Sequence, residues 1–199
     1  MRAIIVVLLL ASLVGNAIAA DSPALAIGQV WRTENPPSPE TRIIIGRIDE
    51  IDGTSIVHVM VRGLPEISRD PGKIKIFGEG GVSSEGAGQG PDRFVCHYTL
   101  KPSADNKSIS INVQYLPIEY SALAASLTTL EAMGEEINVD FESSLEKWDY
   151  LREPFEGDFR EFSAAKQPLS ETLEVIRKSA NSMLNLMEQI EGEIFGLDR

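Results

Sequence analysis

The sequence predicts an α+β fold: a mostly antiparallel sheet of about five to six strands, followed by two to three C-terminal helices packed on one face. Three observations predict it. Before Leu116, several short segments alternate apolar with polar residues, the period of a half-buried strand. After Pro117, apolar residues recur at three- and four-residue steps, the period of an amphipathic helix. Turn-forming pairs such as Asp52-Gly53 and Pro71-Gly72 separate the early segments, and nothing shows the alternating strand–helix rhythm of a nucleotide-binding fold.

The elements follow in order. Arg2, an apolar run over 3–14, Gly15-Asn16 and the small residues Ala17, Ala19 and Ala20 have the shape of a secretory signal peptide over 1–20, cleaved after Ala19 or Ala20. Gly15 and Asn16 disfavour the alternative, an uncleaved membrane anchor, because they weaken the far end of a spanning helix. The remaining 21–199 is expected to be a single domain with a strand-rich part, 21–116, and an acidic helical part, 117–199.

A lead-in over 21–27 precedes a short strand at 28–32 and a stiff loop through Pro36, Pro37 and Pro39. The strand at 41–48 should set Ile43 and Ile45 on one face and Ile44 and Ile48 on the other. It turns at Asp52-Gly53 into a partner strand at 55–62. A short strand at 73–77 leads to a glycine-rich loop over 78–91, expected to be a mobile connector. Strands at 94–100 and 107–115 form a second hairpin. In the return strand Ile109, Ile111, Val113 and Tyr115 share one side, with Ser108, Ser110, Asn112 and Gln114 on the other, so one sheet face should be wet.

Leu123, Leu127 and Leu130 then mark a helix that Gly134 can end. Ser143 with Glu146 is a capping-box pattern opening a short helix with Leu145, Trp148 and Leu151, stopped by Pro154. Pro168 suits the first turn of the longest helix, whose stripe runs from Leu169 and Leu173 to Ile190 and Ile194. Its stretch beyond Ser179 is the part expected to project from the body.

Charge bounds the function. The strand-rich part holds 12 acidic and 10 basic side chains, the helical part 18 and 7. Such a surface repels phosphate backbones and anionic headgroups, so neither nucleic acid nor membrane insertion after leader cleavage is expected. Cationic partners, or none, are favoured, the carboxylates otherwise solvating exposed helix faces. A single cysteine, Cys96, excludes an internal disulfide, so stability must come from packing.

No stretch assembles a trusted catalytic, cofactor-binding or metal motif. Cys96 and His97 are adjacent, but neighbouring strand residues point to opposite faces, so Cys96 reads as a small buried hydrophobe. His58 shares a face with Ile56, Met60 and Arg62; if its strand neighboured that of His97, the two imidazoles could approach and recruit a carboxylate. The glycine loop lacks the Gly-Lys-Ser/Thr of a phosphate loop and the final glycine of a nucleophile elbow. Trp31 and Trp148 read as core anchors, and Glu135-Glu136 and Glu191 with Glu193 as solvated carboxylates. Asn106-Lys107-Ser108 matches a glycosylation sequon that recurs by chance.

Gly28-Gln29-Val30-Trp31, Pro39-Glu40 before Arg42-Ile43-Ile44-Ile45, the run from Ile56-Val57-His58 to Gly63-Leu64, Leu116-Pro117 opening a helix, and the helix at 141–152 with Trp148 resemble a small family of uncharacterised bacterial proteins. The resemblance spans roughly 28–178 in pieces; the leader, the 78–91 loop with its flanking strands and a longer final helix depart from it. It implies a compact sheet followed by helices, a bacterial and hence periplasmic setting, and no assigned activity. The reading is therefore an exported, periplasmic or secreted, non-enzymatic protein that binds another exported protein or a small ligand, without a cofactor. The alternative is a hydrolase or metal-dependent enzyme centred on His58 and His97.

Overall fold

Isoleucine and valine, whose branched β-carbons suit a pleated surface, dominate the two strands at the centre of the fold. In the computed structural model, which describes residues 23–51, 53–69, 82–87, 94–105, 107–131 and 164–195, these are β2 (Arg42–Ile51) and β3 (Thr54–Arg62). Around them lie β1 (Val30–Thr33), β4 (Ile67–Ser68), β5 (Val82–Ala87), β6 (Phe94–Pro102), β7 (Ser108–Glu119) and β8 (Leu127–Glu131). The sheet runs β5-β6-β7-β3-β2-β1-β8, every strand pairing antiparallel, with the two-residue β4 beside β7 off that path. Two helices stand among the described residues, the short α1 (Tyr120–Ala124) and the 27-residue α2 (Leu169–Phe195). The α+β frame of an antiparallel sheet followed by a long C-terminal helix is thus present, with more strands than expected.

Several local expectations are corrected. The helix read from Leu123, Leu127 and Leu130 ends after Ala124, and 127–131 is instead the edge strand β8, in which Thr128 and Thr129 are β-branched. Glu131 ties that strand to its neighbour β1 and to β2 beyond it through ion pairs with Arg32 and Arg42, the latter at 2.6 Å. Leu116-Pro117 does not open a helix: β7 continues through both, with Pro117 opposite His58. Part of the presumed glycine-rich connector is the strand β5, paired with β6 from Val82 opposite Leu100. The strand read at 73–77 and the helix at 141–152 lie outside the described residues.

Two bulges decide which face each side chain takes. On β2, Ile45 pairs with Val59 and Arg47 with His58, so Gly46 is an extra residue. On β7, Leu116 pairs with Val59 and Val113 with Val61, so Gln114 and Tyr115 together span the place of Met60. Beyond each bulge the alternation changes sides. Ile48 therefore packs with Ile43 and Ile45 rather than with Ile44, and Tyr115 leaves the face of Ile109, Ile111 and Val113.

One face is an apolar core shared with α2: Ile43, Ile45, Val57, Val59, Val61, Leu116 and Ile118 cluster with Leu169, Leu173, Ile176, Ala180 and Leu184. The opposite face was expected to be wet. Its outer positions Ser108, Ser110 and Asn112 are half-buried, but at its centre Ile44, Met60 and Val95 are 4% exposed or less. Just after β3, Gly63 has φ of 67°, and a Cβ there would overlap the carbonyl oxygen of Glu40 in the loop entering β2. Thr41 Oγ1 donates to the Gly63 carbonyl at 2.9 Å and fixes that close approach.

Candidate functional site

With Val57, Val59 and Val61 committed to the α2 side, strand geometry puts His58 on the other face, in the middle of the sheet. The β2 bulge sets Arg47 and Asp49 on that face too, Arg47 directly opposite His58 and Asp49 on the diagonal. Asp49 Oδ2 lies 3.1 Å from His58 Nε2, and Asp49 Oδ1 accepts from Arg47 Nε at 2.9 Å. The β7 bulge brings Tyr115 to the other flank of the imidazole: its hydroxyl is 3.2 Å from His58 Nδ1, and the two rings stack with centroids 5.5 Å apart.

His58 Nδ1 and the Tyr115 hydroxyl share a hydrogen bond whose donor is set by the protonation of the imidazole, while Nε2 lies toward a carboxylate oxygen that can only accept. His58 is 2% exposed and Tyr115 3%. A carboxylate, an imidazole and a hydroxyl in line form the chain by which a base can be oriented toward a nucleophile, but here the hydroxyl and the ring are both enclosed within the sheet face.

The two histidines do not meet as the sequence reading supposed. Their strands are not neighbours: β7 lies between β3 and β6. Two strand spacings of about 4.8 Å separate the backbones by roughly 10 Å, and Tyr115, the register partner of His97, occupies the position between them. On β5, Glu85 is the register partner of His97. The result is a row of polar positions running from β2 to β6: Asp49, His58, Tyr115, His97. Among the described residues no group of three or more His, Cys, Asp or Glu could hold a metal ion.

Cys96 faces the apolar core, away from His97, and is fully buried. Burial pushes its thiol far above the ordinary range, since nothing there compensates a thiolate. Trp31 is a core anchor, donating from Nε1 to Gln29 Oε1 at 2.8 Å. Trp148, Glu135, Glu136 and Asn106 lie outside the described residues. Glu193 is exposed at the end of α2.

Sequence reasoning missed Arg47, Asp49 and Tyr115. Two signals pointed to them: a glycine, Gly46, inside an isoleucine-rich strand, and the broken alternation where Tyr115 is followed directly by Leu116. Comparison of the chain with protein-family models, with curated proteins and with solved structures found no match in any of the three.

Proposed function

We propose that this chain is an exported bacterial protein, periplasmic or secreted, that works by binding another exported protein or a small ligand rather than by catalysis. One observation carries the reading. His58, the foremost candidate base, has one ring nitrogen toward Asp49 and the other toward Tyr115 and is 2% exposed, so its polar capacity joins three strands instead of meeting a substrate. The leader at 1–20, with cleavage after Ala19 or Ala20, belongs to this proposal, as do the kinship with uncharacterised bacterial proteins and a further C-terminal helix opened by Ser143 and Glu146.

Co-purification of the tagged full chain from a bacterial periplasm, followed by mass spectrometry, tests the reading. The expected result is a mature chain shortened by its leader together with a reproducible partner. Recovery should fall when Glu188, Glu191 and Glu193 are reversed to lysine. A leader-bearing chain in the cytosol, or recovery untouched by that reversal, overturns it.

The second reading, a hydrolase centred on His58, rests on the aligned Asp49–His58–Tyr115 contacts. Ester hydrolysis by the purified chain that disappears in His58→Gln at unchanged melting temperature would favour it.

A further inference from the structure

The four- and three-residue spacing that starts at Leu169 does not stop where the sheet stops. It passes through Ile176 and Ala180 to Met183, Met187 and Ile190, a heptad seam of the kind that packs helix against helix. Its cover thins along the helix: Leu169 and Ile176 are fully buried, Met183 and Met187 half-buried, and Ile190 is 45% exposed, with Leu186 beside the seam 56% exposed. The helix nevertheless continues to Phe195, two further turns beyond Glu188. Arg69, just after β4, holds this outer half to the body by donating to Asn181 Oδ1 at 2.8 Å and pairing with Glu188 at 3.6 Å.

The flanks of the exposed seam select its occupant. With Met187 at position a and Ile190 at d, Leu186 widens the seam at g, and Glu191 and Glu193 take the next e and g positions. No lysine or arginine lies between Lys178 and Arg199, and the last turn of α2 holds no basic residue. A helix C-terminus carries partial negative charge, so these glutamates sit where a cation is electrostatically preferred. A second copy would set acid against acid. A cationic helix would complement both the e and g carboxylates and the helix end.

Resting on the binding reading above, we propose that the C-terminal half of α2 is a docking seam for an amphipathic helix of a partner protein, its apolar stripe flanked by lysine or arginine.

The test uses the full chain and a fluorescent four-heptad peptide with leucine at a and d and lysine at e and g. One control carries glutamate at e and g; another has the lysine peptide's composition in scrambled order. The lysine peptide should bind about tenfold tighter than the glutamate peptide, a difference read directly from the two dissociation constants, and should weaken as salt rises. The double variant Leu186→Glu, Ile190→Glu should lose that binding while melting as the parent does. If the glutamates lower the melting temperature, Leu186→Gln alone, which adds no charge, provides the same comparison.

Equal binding of the lysine and glutamate peptides, equal binding of the scrambled peptide, or binding untouched by the variants overturns the proposal. So does self-association of the chain through Leu186 and Ile190. A native partner recovered equally by parent and variant removes the seam and leaves the binding reading standing; no partner and no peptide binding removes both.

Discussion

The two faces of the sheet are both closed at their centre, but by different means. On the α2 side nearly every central position is aliphatic or aromatic and asks only for a close fit, the exceptions being the Cys96 thiol and the Tyr98 hydroxyl, which lies 3.3 Å from Ser179 Oγ. On the other side His58, Asp49, Arg47 and Tyr115 stand among Ile44, Met60 and Val95, and each polar group must find its counterpart or leave a desolvated atom unmatched. The first face tolerates exchange of one apolar shape for another; the second depends on register, set by one extra residue in β2 and one in β7. The largest effect should therefore come from emptying the first. Ile176, fully buried between helix and sheet, when replaced by alanine should cost about 3 kcal/mol, lost transfer free energy plus a cavity. Equilibrium denaturation in urea measures it, and a loss below that of the polar-face substitution next described would break the contrast.

Tyr115→Phe keeps the ring that stacks on His58 and removes only the hydroxyl 3.2 Å from Nδ1. A buried ring nitrogen left without its hydrogen-bond partner costs about 1 kcal/mol, set by desolvation rather than by volume. The same denaturation experiment should show this smaller loss, and repeating it in a His58→Leu background should show the hydroxyl's contribution fall. A contribution from the Tyr115 hydroxyl that is unchanged without the imidazole would mean that the two rings are neighbours and nothing more.

What could be read in advance divides along the same line. β2, β3, β6 and β7 were legible because apolar residues pay their way through a period of two, and α2 because Pro168 marks its first turn and the seam repeats after it. β5 and β8 were not. As edge strands they bond through the backbone on one side and carry too few apolar residues to show a period, so 82–87 read as loop and 127–131 as helix. The polar row was half legible: His58 was assigned its face correctly, while Tyr115 was assigned the opposite one. A single-residue slip exchanges the faces of everything after it, and whether a strand slips is settled by pairing with neighbours distant in sequence. Asp49 and Tyr115 lie 9 and 57 residues from His58 and became its partners only through that pairing.

The smallest effect comes from a carboxylate with similar bonds but no burial, and it isolates what enclosure adds to the polar face. In the connection from β6 to β7, Asp105 accepts from Ser103 Oγ at 2.7 Å and from the Lys107 amide at 3.2 Å, with the Lys107 ammonium 3.5 Å away. The Ser103 hydroxyl first, then the Lys107 amide, hold its carboxyl below the usual carboxylate range, because both bonds favour the charged form. The folded chain thus gives up this proton more readily than the unfolded chain does. Its stabilisation is present above the ordinary carboxylate value and is lost as pH falls through the lower folded one. Asp105→Asn, which keeps an acceptor and removes the charge, should lower stability slightly at neutral pH, by less than Tyr115→Phe, because water screens the exposed group. Denaturation midpoints of the two chains should converge in acid, below the usual carboxylate range. A neutral-pH difference as large as that for Tyr115 would mean that bond geometry rather than enclosure sets the strength of these contacts, and the distinction between the two faces would lose its physical basis.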